Sequence, residues 1–111
     1  MNDRDRQVLS KIQKHILSVL QYCENCHTQD EFQADNMRAE ACVFNLMQIG
    51  ELAKASLSDE CKAEIKNIPR HQIYGLRNRI VHGYSGVRLN FVWSIIQDDL
   101  PALNDEITMY L

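Results

Sequence analysis

The sequence predicts an all-α, up-and-down four-helix bundle with short additional helices, and three observations carry that reading. Apolar residues recur at helical spacing in four separate stretches, each long enough for a bundle member. Residues that cap helix N-termini, among them Thr28, Asp35, Ser58 and Asn90, stand ahead of expected helices. A chain of 111 residues, 45% hydrophobic and 24% charged, has the composition of one globular unit, so residues 1–111 read as a single domain with a modest core.

The first helix is expected over residues 5–26. Val8, Ile12, Ile16, Val19 and Cys23 form its main stripe, and Leu9, Leu17 and Leu20 widen it into the face of a bundle member. His15 falls beside that face and reads as a flanking or surface residue. Thr28 followed by Glu31 has the spacing of a capping box, so residues 28–33 are expected to form a short helix with Phe32 turned inward. Asp35 or Asn36 can cap a second long helix that reaches about residue 56. In it Cys42, Leu46, Ile49 and Ala53 make one stripe, and Val43, Met47 and Gly50 make another at neighbouring angles, as in a central helix with several partners. Gly50 costs about 1 kcal/mol against alanine inside a helix, which points to close packing there. Met37 and Met47 are expected to fill gaps in the interior, and Asn45 and Glu51 read as a solvated face, with reach into a polar site as the alternative.

Ser58 can cap a short helix to about residue 67, with Asp59 and Glu60 near its positive end. Pro69 suits the first turn of the next long helix, and Ser85-Gly86 makes a polar turn after it. Asn90 is the expected cap of the last helix, in which Val92, Ile96, Leu100 and Leu103 supply the apolar face and Trp93 a neighbouring anchor. Pro101 should kink or interrupt that helix, because it lacks a backbone donor and crowds the preceding turn. Ile107, Tyr110 and Leu111 are expected to close the bundle edge.

Several function classes lack support. No apolar run is long enough to span a membrane, and the polar start at Met1-Asn2-Asp3-Arg4 reads as cytoplasmic. Cys23, Cys26, Cys42 and Cys61 are accordingly expected as reduced thiols that pack or lie at the surface. Cys23-x2-Cys26-His27 has three possible metal ligands, but no second such pair completes a structural zinc set. Neither a phosphate-binding glycine loop nor a dinucleotide fingerprint is present, and the scattered acids suggest no metal-binding pair.

Charge is uneven along the chain. The formal total is -3, from 12 Lys and Arg against 15 Asp and Glu, so the protein as a whole does not attract polyanions indiscriminately. Residues 62–88 nevertheless carry six bases and a single acid, whereas residues 98–111 carry four acids and no base. The basic region contains the stretch with the densest chemistry, IYGLRNRIVHGY at residues 73–84. Ile73, Leu76 and Ile80 make an apolar stripe there, Arg77, Asn78, Arg79 and His82 crowd the remaining surface, and Gly83 offers a helix stop. On an ideal helix His82 lies about 40° from Asn78 and 60° from Arg79, but about 140° and 7.5 Å of rise from Arg77. Arg77 and His82 therefore do not form a simple pair on one helix. For both to serve one reaction centre, the helix must unwind, the arginine must reach around it, or a second subunit must complete the site.

Arg77, Asn78, three further residues and His82 resemble the R-x4-H motif of the HEPN superfamily, and Tyr84 extends it to the R-x4-H-x-Y form of HepT-like toxins. MQIGELAK at residues 47–54, Pro69, and VWSIIQDDLPAL at residues 92–103 are similar as well, so the resemblance spans essentially the whole chain. It implies a HEPN-like bundle and a toxin of a toxin-antitoxin pair, acting as a metal-independent endoribonuclease. Arg77 and His82 would be catalytic, in a homodimer whose two motifs line one cleft, with Asn78 and Arg79 in support or on the RNA substrate. The resemblance further implies a partner, an MNT-type nucleotidyltransferase antitoxin that places AMP on Tyr84. No cofactor would serve cleavage; ATP and Mg²⁺ would enter only through that modification. A different class of function stays open: a non-catalytic helical subunit that binds nucleotide or partner in a nucleotidyltransferase complex.

Overall fold

The computed structural model describes residues 1–67 and 88–111, and every regular element among them is helical. Helix α1 spans Asp3–Tyr22, α2 Gln29–Gln33, α3 Asn36–Glu51, α4 Asp59–Glu64, α5 Leu89–Ser94 and α6 Leu100–Thr108. A π-helical turn at Leu52–Ser56 prolongs α3, and another at Ile95–Asp99 joins α5 to α6. Three long rods therefore cover residues 3–22, 36–56 and 89–108. The fourth long helix expected after Pro69, and the turn at Ser85 and Gly86, lie outside the described residues.

Helix α1 starts earlier than its apolar pattern suggests because Asn2 caps it, its Oδ1 accepting the Asp5 N–H at 2.7 Å. It also stops earlier, at Tyr22, where the chain turns and the Cys26 N–H reaches the Cys23 carbonyl at 2.9 Å. Val8, Leu9, Ile12, Ile16 and Val19 are buried as expected. Leu17 is a correction: it stands 49% exposed, about 100° around the helix from Ile16 and beyond the arc that neighbouring helices cover.

At α2 the N-cap half of the capping box forms, and its reciprocal half falls one residue earlier, on the His27 N–H in place of that of Thr28. The Glu31 N–H donates to Thr28 Oγ1 at 3.2 Å, and Glu31 Oε1 accepts from the Thr28 hydroxyl at 3.2 Å and the His27 N–H at 3.3 Å. Five residues cannot sustain a helix alone. Phe32 supplies the rest: it is fully buried and stacks on Trp93, with ring centroids 5.4 Å apart and planes 28° from parallel. Burial of such a ring contributes about 2–3 kcal/mol.

Asp35 caps α3 by accepting the Arg38 N–H at 3.2 Å. Cys42, Val43, Leu46, Ile49, Gly50 and Ala53 are buried, which makes α3 and its π-helical extension the central rod. It packs on α1 and α2. Met47 is partly buried, but Met37 projects into solvent from the first turn and fills no gap. Asn45 departs from expectation in the other direction, being buried against α1 through a side-chain bond to His15.

Ser58 caps α4 through the Cys61 N–H at 3.1 Å. The helix ends at Glu64 because Ile65 turns extended and enters the core. The last rod begins at Leu89, with extended Arg88 before it and no side-chain cap, so Asn90 lies inside the first turn and does not cap. Val92, Ile95, Ile96, Leu100, Leu103 and Ile107 face the core. Pro101 is accommodated by the π-helical turn just before it, where the Leu100 N–H reaches back to the Ile95 carbonyl. That wider turn separates the proline ring from the carbonyl it would otherwise crowd. Tyr110 is partly buried, but Leu111 is exposed and closes nothing.

Candidate functional site

Arg77, Asn78, Arg79, His82 and Tyr84 lie outside the described residues. The structure instead shows how the chain is held where it enters their segment. Glu106, on α6, accepts the Lys66 N–H at 2.6 Å with Oε1 and the Asn67 N–H at 3.1 Å with Oε2, and Oε2 also receives the Asn67 side-chain amide. One carboxylate thus takes three N–H groups from the last two residues before the segment. A charged acceptor strengthens each bond relative to a neutral one. Nothing in the local sequence marked Glu106, which reads as one acid among four in the C-terminal stretch.

The basic residues that surround the motif in sequence divide by environment. Lys62 donates to the Lys54 carbonyl at 2.7 Å and so ties α4 to the π-helical end of the central rod. Lys66 and Arg88, at the two ends of the segment, are exposed. Both are available to an anion.

A second polar junction joins the start of α1 to the start of α4. Asp5 is buried, its Oδ1 accepting the Ser58 N–H at 2.9 Å and its Oδ2 the Ser58 hydroxyl at 2.6 Å. The Ser58 backbone N–H and then its hydroxyl hold the Asp5 carboxyl below its ordinary value of 3.8, against the opposing effect of burial. Ser58 Oγ accepts from Cys61 while donating to Asp5, so one hydroxyl caps α4 and fastens α1 to it.

His15 and Asn45 join α1 to α3. The Asn45 side-chain N–H₂ donates to the Ala41 carbonyl at 2.8 Å, which leaves its Oδ1 to accept from His15 Nδ1 at 2.8 Å. That assignment fixes the proton on Nδ1 and leaves Nε2 as the other polar ring atom. A helical-wheel reading places His15 at the flank but gives no sign of its partner thirty residues on.

All four cysteines are buried free thiols. Cys23 and Cys42 bring their sulfurs to 3.7 Å. The contact with Cys23, together with burial, pushes the Cys42 thiol far up, while the same contact lowers Cys23. Among the described residues no three His, Cys, Asp or Glu side chains are placed to hold a metal ion, and no helix is long and apolar enough to cross a membrane.

Comparison with known proteins supplies the family. Residues 9–109 match the HepT-like family, described as Ribonuclease HepT-like. The chain is 30% identical over 78 residues to "Putative RNase MJ1380" of Methanocaldococcus jannaschii, covering 70% of this chain and 71% of that protein. It is 30% identical over 78 residues to "Putative RNase TTE0752" of Caldanaerobacter subterraneus subsp. tengcongensis, covering 70% and 69%. To "Probable ribonuclease HepT" of Thermococcus cleftensis it is 27% identical over 74 residues, covering 67% and 66%. No solved structure matches the chain significantly. The match takes in nearly the whole length, runs through the helices described above and includes the positions of Arg77 and His82. The chain, whose described residues form helices alone as regular elements, therefore belongs to the HEPN/HepT-like ribonuclease family.

Proposed function

We propose that the chain is a single-domain toxin that cleaves RNA internally without a metal ion, at a site completed by two copies of Arg77 and His82 in a homodimer cleft. The observation that carries this reading is the Arg77-x4-His82-x-Tyr84 motif inside the matched span of residues 9–109. RNA brings its own nucleophile. One His82 takes the proton from a 2'-OH, the 2'-oxygen forms a bond to phosphorus, and the bond to the 5'-oxygen breaks as that oxygen receives a proton from the second, protonated His82 of the cleft or from water. Arg77 holds the phosphate through its planar donor fork and offsets the charge that builds on it. Asn78, one turn from His82, orients the imidazole, and Arg79 holds the RNA backbone. The roughly 140° between Arg77 and His82 on one helix is the reason for invoking the second protomer.

Control falls to an MNT-type nucleotidyltransferase, which uses ATP and Mg²⁺ to place AMP on the Tyr84 hydroxyl. Added phosphate beside His82 fills the groove and repels RNA. Peptide fragmentation after incubation with that enzyme should map the added mass to Tyr84, and Tyr84→Phe should escape both modification and inhibition. Inhibition of Tyr84→Phe equal to that of wild type would mean simple masking.

The shared cleft has its own test. Arg77→Ala and His82→Ala should each lower cleavage by about a hundredfold or more. Mixed dimers of the two variants retain one arginine and one histidine in the common cleft and should regain part of the activity. Mixed dimers verified by mass that stay inactive would assign each site to a single protomer.

A further inference from the structure

Helices α1 and α3 meet along a seam whose outer side carries an unusual set of side chains. Lys11, Lys14, His15 and Ser18 from α1 face Asn45 and Gln48 from α3 across a depression of about 450 Å³, and no carboxylate lines it. Lys11 and Lys14 are exposed. His15 is held by Asn45 through Nδ1, so Nε2 is the ring atom left to a ligand in that depression. Farther along the seam lies a second depression of about 390 Å³, lined by Tyr22, Asp35, Met37, Arg38 and Ala41, in which the Arg38 guanidinium stands 3.9 Å from the Asp35 carboxylate, so that Tyr22 is what this end offers a base. Lys11, His15, Ser18 and Tyr22 are spaced at i, i+4, i+7 and i+11, and Arg38, Asn45 and Leu52 at i, i+7 and i+14, so the two depressions share one face. About seven residues of helical rise, roughly 10 Å, separate His15 from Tyr22.

We propose that this seam binds single-stranded RNA, with backbone phosphates on Lys11 and Lys14 and a base against the ring of Tyr22. A groove of positive charge with polar donors beside an exposed aromatic ring is the arrangement that holds a single strand without reading its sequence. The proposal rests on the ribonuclease reading, for which the seam would hold substrate outside the reacting phosphate.

The probe is a fluorescein-labelled single-stranded RNA bearing 2'-O-methyl groups, which lacks the nucleophile and survives contact with the wild-type protein. Binding is followed by anisotropy as salt is raised, with helicity checked for each variant. Lys11→Ala/Lys14→Ala should weaken binding about tenfold at low salt and lower the slope of log affinity against log salt by roughly 1.4. Gln48→Glu, which keeps both lysines and adds a negative charge to the same depression, should weaken binding as well. Tyr22→Ala should weaken it with the slope unchanged, since stacking releases no counterions. Arg4→Ala, outside the seam, should bind as wild type. Unchanged affinity and slope in folded Lys11→Ala/Lys14→Ala would overturn the proposal, as would a change of dimer mass in place of a change in RNA binding. Parallel cleavage of unmodified RNA keeps the two readings apart: a wild type that cleaves while the lysine variant binds normally removes the groove alone. A wild type that never cleaves, paired with a lysine variant that loses binding, removes the ribonuclease alone.

Discussion

Asp5 fastens two stretches of chain that lie 53 residues apart, and the pH dependence of that junction follows from its hydrogen bonds. Because the Ser58 N–H and hydroxyl lower the folded-state pKa, the contribution is fully present above the unfolded value near 3.8. It fades as pH falls through the lower folded value. Asp5→Asn should therefore lower the melting midpoint at neutral pH, and the difference from wild type should shrink as the pH drops below 3.8. A constant difference down to strong acid would show that the junction does not depend on the carboxylate charge. Sequence places Asp5 near a helix start but cannot name Ser58 as its partner. His15 with Asn45 poses the same problem: each residue is ordinary in its own helix, and only the packing of α1 on α3 gives the pair its meaning.

Elements were legible where their determinants are local. Thr28, Asp35 and Ser58 each accept an N–H three residues on, so spacing alone located three helix starts. The buried stripes of α1 and α3 follow from the helical period in the same way. Tertiary effects set the remainder. The last rod starts at Leu89, which packs against the core, and ignores the better cap at Asn90. Helix α4 ends where Ile65 enters the core and Glu106 takes the following amides. Glu106→Ala should accordingly cost about 1 kcal/mol of stability and speed hydrogen exchange at Lys66 and Asn67 by more than it speeds exchange in the core of α1. Unaltered protection of those two amides would show that Glu106 is not what holds the chain there.

At the scale of the whole molecule, the described helices share one hydrophobic core, and the family match extends from Leu9 to Met109. The candidate site is read from sequence on a ground unlike that of the helices, and its residues lie outside the described ones. Arg77, His82 and Tyr84 form a short motif that can be singled out without coordinates, while the proposed cleft shared by two copies would depend on an assembly that periodicity does not encode. Glu106 and the α1/α3 seam depend in turn on packing within the chain. The ribonuclease reading requires that His82 move a proton during RNA cleavage. The most direct measurement is cleavage of a labelled RNA by wild type and by His82→Ala in the presence of excess EDTA, with folding and solution mass compared for the two. Wild type should cut and leave a 5'-hydroxyl fragment, and His82→Ala should be slower by at least about a hundredfold. Equal cleavage by folded His82→Ala, or no cleavage by folded wild type on any RNA tested, would contradict the catalytic account and favour a silent helical partner of a nucleotidyltransferase.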